Sequence, residues 1–369
     1  MSTIDPGGVT GDGAATTKLR VSTLRALRIV YLVAGLGLLA AVLIGVDLAA
    51  AGGWLGRMGF AGVASVIAVY ALIFTCDSAS WWLILAGARL EGGWLGRLWL
   101  VRLIGEAFNA IIPAASLGGE PVKALLLKSR YGVGYGEAAA SLVMAKTTNL
   151  IGLIIFSAGG LIVMLSDGAY ATEYATVAGA GLAALAAGVL GFFAVQRWGV
   201  ASRLAARLAA RRPGGRIETA LGHLRSIDQR FVDFYHRRPG RFAAALGLVL
   251  SSWMLGALEL YVILDFLGHP ITPAEAWITE SVLQLVRAGS FFIPASLGAS
   301  EVGFVVLVGA LTGQPPLGLA AALMRRAREL LWIVAGVALG WRLSFTPAVV
   351  AAERGGPTDR QPPPGQGPG

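Results

Sequence analysis

A single cysteine, Cys76, in a chain of 369 residues excludes an internal disulfide. Three histidines, His223, His236 and His269, lie too far apart for metal-ligand spacing. No Ser/His/Asp set and no soluble catalytic domain is visible, so the sequence predicts no enzyme, no bound metal and no cofactor. Charge is scarce too: 14% of residues are charged, against about a quarter in soluble domains. That scarcity excludes an ordinary soluble globule. What abounds is apolar length. The chain is 56% hydrophobic, and several stretches reach the roughly 20 residues that a membrane-crossing helix needs. The net charge of +9 is not a nucleic-acid signal, because the arginines lie in loops between apolar runs, where they set membrane orientation.

The pattern predicts an all-α polytopic membrane protein. Spans are expected near 24–50, 58–88, 138–165, 172–195, 242–267 and 317–343, about six in all. Residues 1–22 and the Pro/Gly-rich 346–369 read as disordered tails, flanking a membrane domain over 23–345. The basic stretch 197–241 places Ile217, Leu221, Leu224, Ile227, Phe231 and Phe234 at helical spacing opposite an Arg-rich face. That is the pattern of an amphipathic helix on headgroups or of a docking helix for a partner. By its charge this loop is cytoplasmic, as is the N-terminus with Lys18, Arg20, Arg25 and Arg28. The loops "SDGAYATEY" and "GHPITPAEA" carry no Lys or Arg and face out. Both termini are then cytoplasmic, in a plasma (inner) membrane.

Two apolar regions are interrupted. One holds "IIPAASLGGEPVK", Ile111 to Lys123; the other holds "FFIPASLGASEVG", Phe291 to Gly303. Unpaired backbone groups in hydrocarbon cost several kcal/mol each, so such breaks survive only inside protein or beside water. Asn109, Pro113, Gly118, Gly119, Pro294 and Gly298 read as the tips of two re-entrant helical hairpins. Each Glu, Glu120 or Glu301, follows its Pro by seven residues and starts a half-helix, where a carboxylate is favoured. The match extends outward. Asp77 stands opposite Glu259, and Lys146 corresponds to Arg326. The unit span–hairpin–span therefore occurs twice, over 58–166 and 242–344. An odd number of crossings between the copies makes them an inverted repeat, a recurrent transporter architecture.

Charges in the apolar zone need partners or water. Glu106 and Glu280 are among them, as is Glu329. Lys123, Lys146, Arg287, Arg325, Arg326 and Arg328 are candidate headgroup-binding cations. Asp77, Glu120, Glu259 and Glu301 are candidate gating or coupling carboxylates. Each is equally well an ion pair fastening a hairpin to a span. Asn109 and Asn149 suit hairpin backbone groups better than direct ligand contact. "GVGYGEA" at Gly132–Ala138 lacks both the preceding strand and the GK[ST] of a phosphate loop. "AGAGLAALAAG" is small-residue helix packing.

With Asn109, Pro113, Gly118-Gly119-Glu120 and the later "IPASLGASE" in view, the chain resembles the flippase-like family named for the transmembrane domain of lysylphosphatidylglycerol synthases. The "IP…LG…E…G" pattern and "RRARELL" resemble its hopanoid-biosynthesis-associated branch, with a departure at "GASE". The resemblance covers about Leu24 to Leu343. It implies movement of lipids between leaflets, here of a polar or anionic lipid of glyco-, phospho- or hopanoid type. Family members fused to an aminoacyl-transferase domain also make the lipid; this sequence shows none, so synthesis is not implied. Membrane lipids are the expected partners, with lipid-biosynthetic enzymes as further ones. A membrane scaffold for such enzymes and a proton-coupled solute transporter are the alternatives.

Overall fold

The computed structural model describes residues 48–85, 92–111, 119–167, 172–197, 238–290, 293 and 296–344. The two tails, most of the first expected span, Pro113, Gly118, Pro294 and nearly all of the basic stretch 197–241 lie outside the described residues. Among those described, every regular element is a helix: α1 (Leu48–Arg57), α2 (Gly59–Ile84), α3 (Gly92–Ile111), α4 (Glu120–Tyr131), α5 (Tyr135–Asp167), α6 (Thr172–Arg197), α7 (Pro239–Phe266), α8 (Pro273–Gly289), α9 (Ala299–Thr312) and α10 (Pro315–Ser344).

Local chemistry places the ends. Pro239, Pro273 and Pro315 open their helices, where a fixed φ and a missing N–H cost nothing. At α8 the Thr272 hydroxyl accepts the Glu275 N–H, while the Glu275 carboxylate accepts the Thr272 N–H at 2.6 Å. This is a capping box. α4 and α9 stop at Gly132 (φ 69°) and Gly313 (φ 71°), left-handed positions that favour glycine.

Three described helices are long and apolar enough to cross a bilayer: Gly59–Ile84, Tyr135–Ser166 and Pro239–Phe266. Sequence patterning predicts six spans, and the other three differ for identifiable reasons. The first lies mainly outside the described residues. α6 contributes a shorter apolar stretch, Thr176–Gly191. α10 has 30 residues but carries Arg325, Arg326, Arg328 and Glu329 near its middle.

The chain runs twice through the same order of helices. α2, α3, α4 and α5 have 26, 20, 12 and 33 residues; α7, α8, α9 and α10 have 28, 17, 14 and 30. Their packing repeats as well. α2 lies against its counterpart α7; α3 packs on α10, and correspondingly α8 packs on α5. Small residues set these crossings. A Cβ on Gly336 would meet the Leu103 carbonyl where α10 crosses α3, and one on Gly160 would meet Ser281 where α5 crosses α8. Close backbone approach through small residues is how membrane helices gain packing without a hydrophobic drive.

Each half has its own buried cluster. Trp81, Leu85, Leu98, Ala124 and Leu127 pack together in the first, and Leu260, Ile278, Leu283, Phe304 and Leu307 in the second. Leu72, Ile155, Leu190 and Val334 are exposed, as befits helices whose outer face meets lipid.

Candidate functional site

The charged residues of the first half converge on one cavity of about 90 Å³. α2 supplies Asp77, α3 supplies Arg102 and Glu106, α4 supplies Glu120 and Lys123, and α5 supplies Lys146 and Asn149. The Arg102 guanidinium donates to Asp77 at 2.6 Å, and the Ser252 hydroxyl of α7 donates to the other Asp77 oxygen at 2.7 Å. Buried Lys123 sits between two carboxylates, Glu106 at 2.8 Å and Glu120 at 3.0 Å. Lys146 is different. Its side chain is 47% exposed and its Nζ lies 3.6 Å from Glu120 Oε1, beyond hydrogen-bond length. Two atoms lining this site are buried without a hydrogen-bond partner, Arg102 Nε and Glu120 Oε2. Buried polar atoms are nearly always satisfied, so such atoms mark places for water or a ligand. The volume exceeds what one water needs but falls short of a drug-sized ligand pocket.

Asn109 explains why Glu120 is left available. Its Oδ1 accepts the Gly119 N–H at 2.6 Å, and its Nδ2 donates to Glu106 at 3.1 Å. The free amide at the start of α4 is thus satisfied by α3. In the second half Glu301 does that work itself: its Oε2 accepts the Gly298 N–H at 2.8 Å, and its Oε1 accepts from Arg326 Nε at 2.6 Å. Both oxygens of Glu301 are occupied, whereas one of Glu120 is not.

The second half holds a denser network. Glu259 of α7 meets Arg328 at 3.0 Å and Arg325 at 3.5 Å; Glu280 of α8 meets Arg325 at 2.7 Å. Arg325 also donates to the Gly256 carbonyl. Glu329 joins Arg287 at 2.6 Å and Arg326 at 2.8 Å. Four arginines thus meet four glutamates across α7, α8, α9 and α10. Edge-on aromatic rings bridge this network to the first cavity. Arg328 lies 3.6 Å over the Tyr70 ring and Arg102 lies 5.1 Å over Phe74. Trp332 stands edge-on to Tyr70 at 5.0 Å, and Trp99 to Phe74 at 5.0 Å.

The candidate cations therefore fall into two groups. Lys123 and Lys146 border the cavity with Asp77 and Glu120. Arg287, Arg325, Arg326 and Arg328 are ion-paired with Glu259, Glu280, Glu301 and Glu329. Glu120 and Glu301 have no partner in common among these contacts. Arg102 and Ser252 belong to these sites without having been singled out from the sequence, whereas Glu106, Glu280 and Glu329 were marked as membrane-zone charges without a role. The signal for Arg102 was present: Asp77 is a lone acid in a long apolar span, and Arg102 is a basic residue one helical turn before Glu106. Among the described residues, no group of His, Cys, Asp and Glu is placed to hold a metal ion.

The family described as Lysylphosphatidylglycerol synthase TM region matches residues 19–338. No curated protein and no solved structure matches the chain. The match spans both helical halves and both charge networks. It joins a set of helices long and apolar enough for a bilayer, so this chain belongs to the lysylphosphatidylglycerol synthase transmembrane-region family and is a multi-pass membrane protein.

Proposed function

We propose that the chain moves a lipid with a polar headgroup between leaflets of the plasma (inner) membrane, both termini being cytoplasmic. The carrying observation is the first-half cavity: a small polar space among membrane helices, with a half-exposed lysine at its edge and unpartnered buried polar atoms in its wall. Charge inside a bilayer is retained where it lines a path. The headgroup would enter beside Lys146 while the acyl tails stay in hydrocarbon. The two breaks, at 112–118 and 290–298, act as re-entrant hairpins in oppositely oriented halves, so that rocking one half against the other exposes the site to each leaflet in turn. The cavity is too small for a whole headgroup, in keeping with a closed resting form that opens during transport. The chain acts as a carrier and not as an enzyme, on phospho-, glyco- or hopanoid-type lipids, the last favoured by the "RRARELL" pattern.

Liposomes containing the purified protein and an acyl-labelled phospholipid provide the test. Label in the inner leaflet should become accessible to an external quencher faster than in protein-free vesicles. Lys146→Ala should slow this about tenfold or more, in line with losing one charge-assisted contact of about 1.5–3 kcal/mol. A scaffold for biosynthetic enzymes would move no label. A solute carrier would take up a soluble substrate instead.

A further inference from the structure

The charges lining the first-half cavity cancel. Arg102, Lys123 and Lys146 face Asp77, Glu106 and Glu120. Arg102 and Lys123 are committed, each in contacts of 3.0 Å or less. The loosely held cation is Lys146, and the unsatisfied acceptor is Glu120 Oε2. The two residues flank a single 3.6 Å contact between α5 and α4. A purely anionic group arriving at Lys146 would compete with Glu120. It would then leave that carboxylate to Lys123 alone, which Glu106 shares at 2.8 Å, so the site would carry one uncompensated negative charge among Trp81, Leu142 and Val249, where excess charge is expensive. An uncharged head would offer only neutral hydroxyls to Lys146 and Glu120, and so weaker contacts than two opposite charges make. A group with an anion and an N–H cation a few bonds apart satisfies both sides: the anion meets Lys146, the ammonium meets Glu120 Oε2, and the site stays neutral.

Resting on the lipid-moving role proposed above, we infer that this cavity selects zwitterionic headgroups, with a phosphate or carboxylate beside a protonated amine, over purely anionic and uncharged ones. Opposed fixed charges select by penalising mismatched partners as much as by attracting the right one. Committing Glu120 to the ligand does not strand Lys123, because Glu106 still holds it at 2.8 Å.

The experiment uses the full chain in liposomes with three acyl-labelled lipids of equal chain length: phosphatidylethanolamine, phosphatidylglycerol and a monoglycosyl diacylglycerol. Phosphatidylethanolamine should move about tenfold faster than the other two, the scale of one mismatched contact. Glu120→Gln removes the ammonium's partner and leaves the site one positive charge in excess, so the preference should pass to phosphatidylglycerol. Lys146→Gln removes a half-exposed side chain from no buried pair, and it keeps the test available if Glu120→Gln does not fold. It leaves the site one negative charge in excess, so it should slow phosphatidylglycerol at least as much as phosphatidylethanolamine. Equal rates for the three lipids, fastest movement of phosphatidylglycerol by the unaltered protein, or an unchanged ratio in Glu120→Gln would overturn the zwitterion inference while leaving lipid transport standing. Movement of no lipid would overturn both. Uptake of free phosphoethanolamine without lipid movement would assign the site to a solute and overturn the lipid reading.

Discussion

At Gly119 the backbone of α4 meets the backbone of α3. A Cβ there would run into the Gly105 carbonyl oxygen, and a Cβ on Gly105 would overlap the Lys123 stem. A backbone carbonyl cannot swing aside as a side chain can. Gly119→Ala should therefore destabilise by about 1–3 kcal/mol, the usual range for overpacking, read as a lower Tm in detergent. Gly136→Ala is the control, since a Cβ there meets nothing within 4 Å, and it should leave Tm unchanged. The sequence marks Gly118-Gly119 as a place where the helix breaks, because two glycines in an apolar run have little other use. It does not reveal Gly105 as the partner. That requires knowing where two helices cross, and nothing local in "LIGEAF" distinguishes a crossing glycine from a tolerated one. Asn109 was legible as a group that satisfies backbone, since a short amide near a helix break has free N–H groups within reach; its acceptor role toward Gly119 is of that kind.

Across elements, the second-half network ties α7, α8 and α10 through Arg325. Removing that guanidinium leaves Glu259 and Glu280, each no more than 3% exposed, short of a cation. Breaking a buried pair from one side costs about 3–5 kcal/mol, so Arg325→Ala should sharply lower the yield of folded protein and its Tm. Arg325→Met combined with Glu280→Gln should recover part of the loss, because neutralising both partners strands less charge. Lys146→Ala makes the contrast. Its ion pair with Glu120 is long and its side chain half exposed, so its stability cost should stay near the 0–1 kcal/mol of exposed pairs while transport falls. Sequence reading locates the membrane-zone charges and leaves each candidate cation equally a headgroup partner or an ion-pair partner. That ambiguity has a physical cause. Patterning shows which residues must avoid lipid, whereas pairing depends on helix rotation and depth. A cation facing a carboxylate of another helix has the same sequence signature as one facing a headgroup. Arg102 went unmarked because it falls in the interrupted region, where a basic residue resembles a loop charge.

In the whole molecule the two halves interlock, α2 on α7, α3 on α10 and α8 on α5. Paired motifs and flanking charges are legible in the sequence because both are one-dimensional. The placement of Glu120 and Glu301 is not. Their equivalent positions after a Pro do not reveal their partners: Glu120 contacts Lys123 and Lys146, and Glu301 contacts Arg326, Ser300 and the Gly298 amide. The proposed inversion is tested by single-cysteine labelling in a Cys76→Ser background: Gly118→Cys should react from the cytoplasm and Gly298→Cys from outside, and access to both from one side would refute it. The separation of the two carboxylates makes a further prediction. Groups without shared partners contribute nearly additively in free energy, to within about 0.3–0.5 kcal/mol, whereas members of one network do not. Glu120→Gln should lower transport by emptying the cavity wall of its acceptor, and Glu301→Gln by loosening α9 from α10, where Arg326 would lose its 2.6 Å contact. Initial rates in liposomes, normalised to folded protein, should then show the double variant slowed by the product of the two single effects. The measurement separates two mechanisms. Multiplicative loss means that the second half acts as a frame against which the first half works its cavity. A double variant no slower than the worse single would mean that both hairpins close on one site during transport, and the cavity would then have to be redrawn across the interface of the halves.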